Sequence, residues 1–66
     1  MRDKNRIEPF AKEIAELWKN VPDWRFGQLM SNLLGYAQQK TNRDIFFIED
    51  EEMLSILKSF FEKQDG

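Results

Sequence analysis

Apolar residues recur at steps of three and four in three separate stretches, and each stretch predicts an amphipathic helix. The first runs through Ile7, Phe10, Ala11, Ile14, Leu17, Trp18 and Val21, which predicts a helix over about 6–20. Pro9 belongs in its first turn, where a missing N–H costs little. Two starts compete: Asn5 with Glu8 as a capping box, or Glu8 as cap with Pro9 at the first helical position. Asn20, Val21 and Pro22 end the helix, because the residue before a proline is driven out of helical geometry.

The second stripe is Phe26, Leu29, Met30, Leu33, Leu34 and Ala37, a helix over about 24–39 with Asp23 as its N-cap. Trp24 and Gln28 fall on the opposite side of the wheel, so Trp24 is expected to point away from the main core. Gly27, Ser31 and Gly35 form a row of small residues four apart, a spacing that lets another backbone come close but is only weakly specific outside membranes. The third stripe, Met53, Leu54, Ile56, Leu57, Phe60 and Phe61, predicts a helix over about 50–63. Glu49 and Asp50 are its candidate caps, and Glu51 and Glu52 suit the positive end of its dipole.

Between the last two helices the polar run QKTNRD leads into the apolar run IFFI, Ile45 to Ile48. No second strand pattern exists to pair with IFFI, so buried extended chain over 45–48 is the expectation. Nine extended residues reach roughly 30 Å, enough to travel back along a helix of about 24 Å. This return path would start helix 3 near the beginning of helix 2 and bring Glu49 and Asp50 to Arg25. It is favoured over the alternative, a compact loop with helix 3 antiparallel to helix 2. The expected fold is all-α: one small three-helix bundle with an extended segment between helices 2 and 3.

Length and composition narrow the chemistry. The chain has 66 residues, 41% hydrophobic and 33% charged, with neither Cys nor His. One small core is possible, and disulfides, thiolate or imidazole metal sites and histidine acid-base catalysis are excluded. Four adjacent carboxylates, EDEE, resemble a cation site, but consecutive helical residues point in different directions and the spacing of a calcium loop is missing. No nucleophile motif or glycine-rich phosphate loop occurs. The reading is therefore not an enzyme, with no catalytic residue, cofactor or metal. The first residues, MRDKNRIEPF, lack the apolar run of a signal peptide, and no segment approaches the ~20 apolar residues of a membrane span. A cytoplasmic location with no membrane contact is the expectation.

The net charge of −2 gives no overall attraction to nucleic acid. Arg2, Lys4, Arg6, Lys40 and Arg43 are the best basic groups for that alternative, but a recognition helix opening with EDEE would repel phosphate. Protein interaction is the broadest remaining class, through an unknown protein partner or self-association. Trp24, Arg25 and Gln28 are the expected contact surface, because aromatic and arginine residues anchor interfaces. Asp23, Gly27, Phe46, Glu49 and Asp50 are expected to pair or dock beside them. The competing structural reading spends Trp24 on covering the core end and the glycines on packing IFFI.

The opening MRD...RI, then Trp18, Pro22, Asp23, Arg25, Gly27, Gln28 and Leu29, and finally Asp44, Phe46, Ile48, Glu49, Asp50 and Glu51, resemble a group of short uncharacterised bacterial and phage proteins. The shared pattern is W, then PDxRxGQL, then DxFxIEDxEL. It covers most of the chain, with Trp24 standing where the group carries an aliphatic residue. The resemblance implies a bacterial or phage origin and no particular activity. It also links the RxGQ element to the IED element.

Overall fold

In a computed structural model, which describes residues 2–64, the chain is all-helical: α1 spans Ile7–Trp18, α2 spans Phe26–Thr41 and α3 spans Asp50–Gln64. Two short 3-10 turns, Lys4–Arg6 and Ile45–Phe47, precede α1 and α3. No strand occurs among the described residues. The three periodic stripes thus became the three helices, while several junctions differ from the sequence reading.

Neither expected cap of α1 is used, although the helix starts close to the expected position. The Asp3 side chain accepts from the Asn5 N–H at 2.9 Å and caps the 3-10 turn, so α1 begins only at Ile7 and Pro9 sits in its first turn. Past Trp18 the chain descends through tight turns, with Asn20 N–H on Leu17 O, Val21 N–H on Trp18 O and Trp24 N–H on Val21 O. The Trp18 indole N–H donates to Trp24 O at 2.9 Å and fixes the last of these turns. Helix geometry therefore cannot start at Asp23. Arg25, in extended conformation, is the N-cap of α2. Arginine has no acceptor, so only half of a capping box forms: Gln28 Oε1 accepts the Arg25 N–H at 2.8 Å.

The C-terminus of α2 decides the path of the chain. Asn42 adopts the left-handed conformation (φ 55°, ψ 33°), and its N–H bonds to Gln38 O. Asparagine is among the few residues that take this geometry at a helix end. The connector then tightens instead of extending, because Asp44 accepts the Phe46 N–H at 3.0 Å and Ile45–Phe47 winds into a 3-10 turn. Side chains three apart eclipse in such a turn. Ile45 and Ile48 accordingly face the core, whereas Phe46 and Phe47 stand 82% and 71% exposed.

The return path is overturned. Arg43 pairs with Glu52, Tyr36 bonds to Ser59 and the Trp24 ring meets Phe60, so later residues of α3 meet earlier residues of the α2 region. The two helices are antiparallel. On the other side Arg6 pairs with Asp50 and Glu13 with Lys58 at 3.2 Å, which makes α1 parallel to α3. Helix α3 packs against both neighbours.

The buried core lies between α2 and α3: Leu29, Leu33 and Ala37 form a row along one helix, facing Ile56, Leu57 and Phe61, with Ile48 closing the connector end. Ile14, Leu17, Trp18 and Val21 from the α1 side cover it only partly. Trp24 is also half-buried against this core, edge-on to Phe60 at 6.2 Å, and does not point away as the wheel suggested. The reason is that Trp24 precedes α2 and so does not obey its angular register.

The small-residue row does not receive a backbone either. A Cβ added at Gly27 or Gly35 would meet nothing within 4 Å. Gly35 lies inside α2 and carries only the backbone entropy cost of glycine. Gly35→Ala is expected to stabilise the fold by about 1 kcal/mol, a rise of roughly 4–8 °C in Tm, read by thermal circular dichroism. A lower Tm would restore the close-approach reading.

Candidate functional site

The residues first expected to form one surface are divided by the fold. Arg25 stands at the start of α2, beside the Trp24–Phe60 contact, whereas Asp50, the first residue of α3, lies ten residues before Phe60, roughly 15 Å along the helix axis, with Glu49 just ahead of it. Asp23 and Gly27 stay with Arg25 and are exposed, as is Gln28, whose amide is committed to the cap. Phe46 is at the far end of α2 and docks on neither Asp23 nor Gly27.

The acidic start of α3 meets other cations. Arg2 places one terminal nitrogen 2.8 Å from both Glu49 oxygens, Arg6 pairs with Asp50 and Arg43 pairs with Glu52. Glu49 raises the Arg2 guanidinium pKa through its hydrogen bond and charge. These exposed pairs add little stability individually, but they set a guanidinium beside each of three carboxylates of EDEE. No cluster fit to hold a metal occurs among the described residues.

A second polar group joins the late part of α2 to α3. Ser59 Oγ donates to Ile56 O at 2.7 Å, so the Tyr36 hydroxyl donates to Ser59 Oγ at 2.8 Å. Lys40 Nζ donates to both, at 3.2 and 3.1 Å, and lies 5.5 Å from the Tyr36 ring centroid. The spacing of Tyr36 and Lys40 on one helix face was visible in the sequence, but Ser59 is brought in only by packing. Each hydroxyl proton here is directed at another group across or along the seam, which ties α2 to α3.

The least satisfied surface is apolar. α1 is strongly amphipathic, yet none of its residues is buried. Between α1 and α2 runs an open groove floored by Met53 and Leu57 of α3 and walled by Ala11, Ile14, Ala15 and Trp18 on one side and Phe26, Met30 and Leu34 on the other. Phe26 is 61% exposed, and its ring lies 6.0 Å from that of Trp18. The one polar atom among these side chains, the Trp18 indole nitrogen, already donates to Trp24 O. Exposed Ile7 extends the same face of α1 toward its N-terminus. Along the outer edge lie Glu8, Lys12, Glu16 and Lys19, and the Lys19 ammonium, 2.6 Å away, holds the Glu16 carboxyl below its ordinary pKa.

By periodicity Ala11 and Trp18 are core positions, whereas in the fold both line the groove, Ala11 exposed and Trp18 half-buried. The signal for the groove was the width of the α1 stripe: Ile7, Ala11 and Trp18 sit on one margin, too far round to face the same neighbour as Leu17 and Val21. No family model matches the chain, and neither the curated proteins nor the solved structures contain a match to it. No helix among the described residues is long and apolar enough to cross a membrane.

Proposed function

We propose that the chain is a non-catalytic protein-interaction module, a small bundle that receives an apolar helical face in the groove between α1 and α2. The observation that carries this reading is the groove's lining, which is apolar from end to end while α1 buries no residue. Small-molecule sites combine apolar walls with a few convergent polar groups, and this groove has none to spare. A helix laid into an apolar groove needs only the former. The absence of Cys and His from the sequence supports a binding role over catalysis. The contact set moves from Trp24, Arg25 and Gln28 to the groove walls, because Trp24 is spent on Phe60 and Gln28 on the cap. A nucleic-acid role is the weaker reading, since Arg2, Arg6 and Arg43 each face a carboxylate.

Ala11 offers a clean test because it is exposed on a helix and glutamate is a good helix former. Ala11→Glu places a charge inside the groove without touching the core. Affinity recovery from lysate of the source cells is expected to lose the partners held by the wild-type chain, with an unchanged circular dichroism spectrum. A folded Ala11→Glu protein that keeps every partner overturns the proposal.

A further inference from the structure

Building on the groove reading, we infer that the occupant of the groove is a second copy of this chain, packed antiparallel through α1 about a two-fold axis. The face that α1 presents to the groove is self-complementary in shape and in charge. Ala11 and Ala15, both exposed, make its middle flat. Ile7 projects at one end, 53% exposed, while Trp18 and the exposed Phe26 stand at the other. A two-fold axis between Ala11 and Ala15 lays each copy's Ile7 on the Trp18–Phe26 pair of the other. Small residues at the crossing let the two helices approach closely.

The polar edge obeys the same symmetry. In an antiparallel helix pair, the same flank of each helix faces its counterpart. Glu8 and Lys19 share the outer flank of α1, about equally far from the midpoint of Ala11 and Ala15. The axis therefore brings Glu8 of each copy opposite Lys19 of the other, and the contact occurs twice. Among the described residues the Lys19 ammonium pairs with Glu16, three residues earlier, and both side chains are exposed, so its flexible stem can reach a second carboxylate. A parallel pairing would set Ile7 against Ile7 and the bulky Trp18–Phe26 pair against its own copy, and would leave Glu8 and Lys19 of the two copies at opposite ends of the helices.

The test is the oligomeric state by sedimentation velocity over a concentration series, with folding checked by circular dichroism. The wild-type chain is expected to pass from monomer to dimer, and Ala11→Glu to stay monomeric. Glu8→Lys and Lys19→Glu singly are each expected to raise the dimer dissociation constant roughly tenfold, because the symmetry repeats every lost pair. The double reversal, Glu8→Lys with Lys19→Glu, is expected to restore it. Restoration is the decisive result, since a fold defect in either single variant would not be repaired by the second.

A wild-type chain that is monomeric throughout overturns this inference. So does a dimer that survives Ala11→Glu, or one that the double reversal fails to restore. The groove reading stands or falls separately: a monomeric wild type whose other partners are still lost on Ala11→Glu keeps the groove and removes the second copy from it. Partners indifferent to Ala11→Glu remove the groove as well.

Discussion

Leu33→Ala is expected to leave about half of the molecules unfolded at room temperature. Leu33 is fully buried at the centre of the Leu29, Leu33 and Ala37 row, against the Ile56, Leu57 and Phe61 face of α3. Replacing a leucine in such a place loses the transfer energy of the side chain and opens a cavity, together about 3–5 kcal/mol. A chain of this length holds only about 3–5 kcal/mol of net stability, so the loss is comparable with the whole. Far-UV circular dichroism with urea titration measures it. Leu34→Ala is the control: Leu34 is half-buried on the groove wall, where a neighbour's absence leaves less to lose, about 1 kcal/mol. Equal costs at the two adjacent positions would contradict the placement of the core between α2 and α3.

The second large effect is expected at Trp18. Its ring packs on Phe26 at 6.0 Å, and its indole N–H holds Trp24 O at 2.9 Å. One side chain thereby joins the end of α1 to the turn that starts α2. Trp18→Ala removes both contacts at a cost of about 3 kcal/mol, the lower end for a large aromatic because the residue is half-buried. Trp18→Phe keeps most of the ring and loses the hydrogen bond, at about 1 kcal/mol. Chemical denaturation of the pair separates packing from hydrogen bonding. An alanine variant as stable as wild type would mean that α1 does not depend on this junction, and the Val21 to Trp24 turn would then need another cause.

Both effects rest on positions that the sequence marks clearly, because helical periodicity records which residues of one helix share a face. Leu29 and Leu33 could be read as core without knowing what they touch. Trp24 could not, because it lies in a turn, where no wheel assigns a direction. IFFI shows the same limit. Its composition signals burial, but only the winding of the 3-10 turn sends Ile45 and Ile48 inward and Phe46 and Phe47 out. The direction of the connector depended on the left-handed Asn42 and the Asp44 cap, two local choices that reverse where Arg25 and Glu49 end up.

The ion pairs of EDEE make the point for charges. Several bases could reach these acids on composition alone, Arg25 among them if the chain returned along helix 2. With α1 parallel to α3, the N-terminal arginines arrive beside the first turn of α3 instead. The candidate groove was legible only as an over-wide apolar stripe on α1. A stripe shows that surface must be covered, and it does not show that α2 and α3 leave one margin open.

By itself the sequence determined three amphipathic helices, the apolar rows that meet in the core, and the absence of cysteine and histidine chemistry, since these are properties of residue type and of a fixed 3.6-residue period. Tertiary structure alone decided that α3 runs against α2 and along α1, which bases answer the acidic turn, that Trp24 turns inward, and that the open margin of α1 faces Phe26 across a groove. Those outcomes depend on where distant segments are brought together, and a periodicity confined to each helix carries no information about its neighbour.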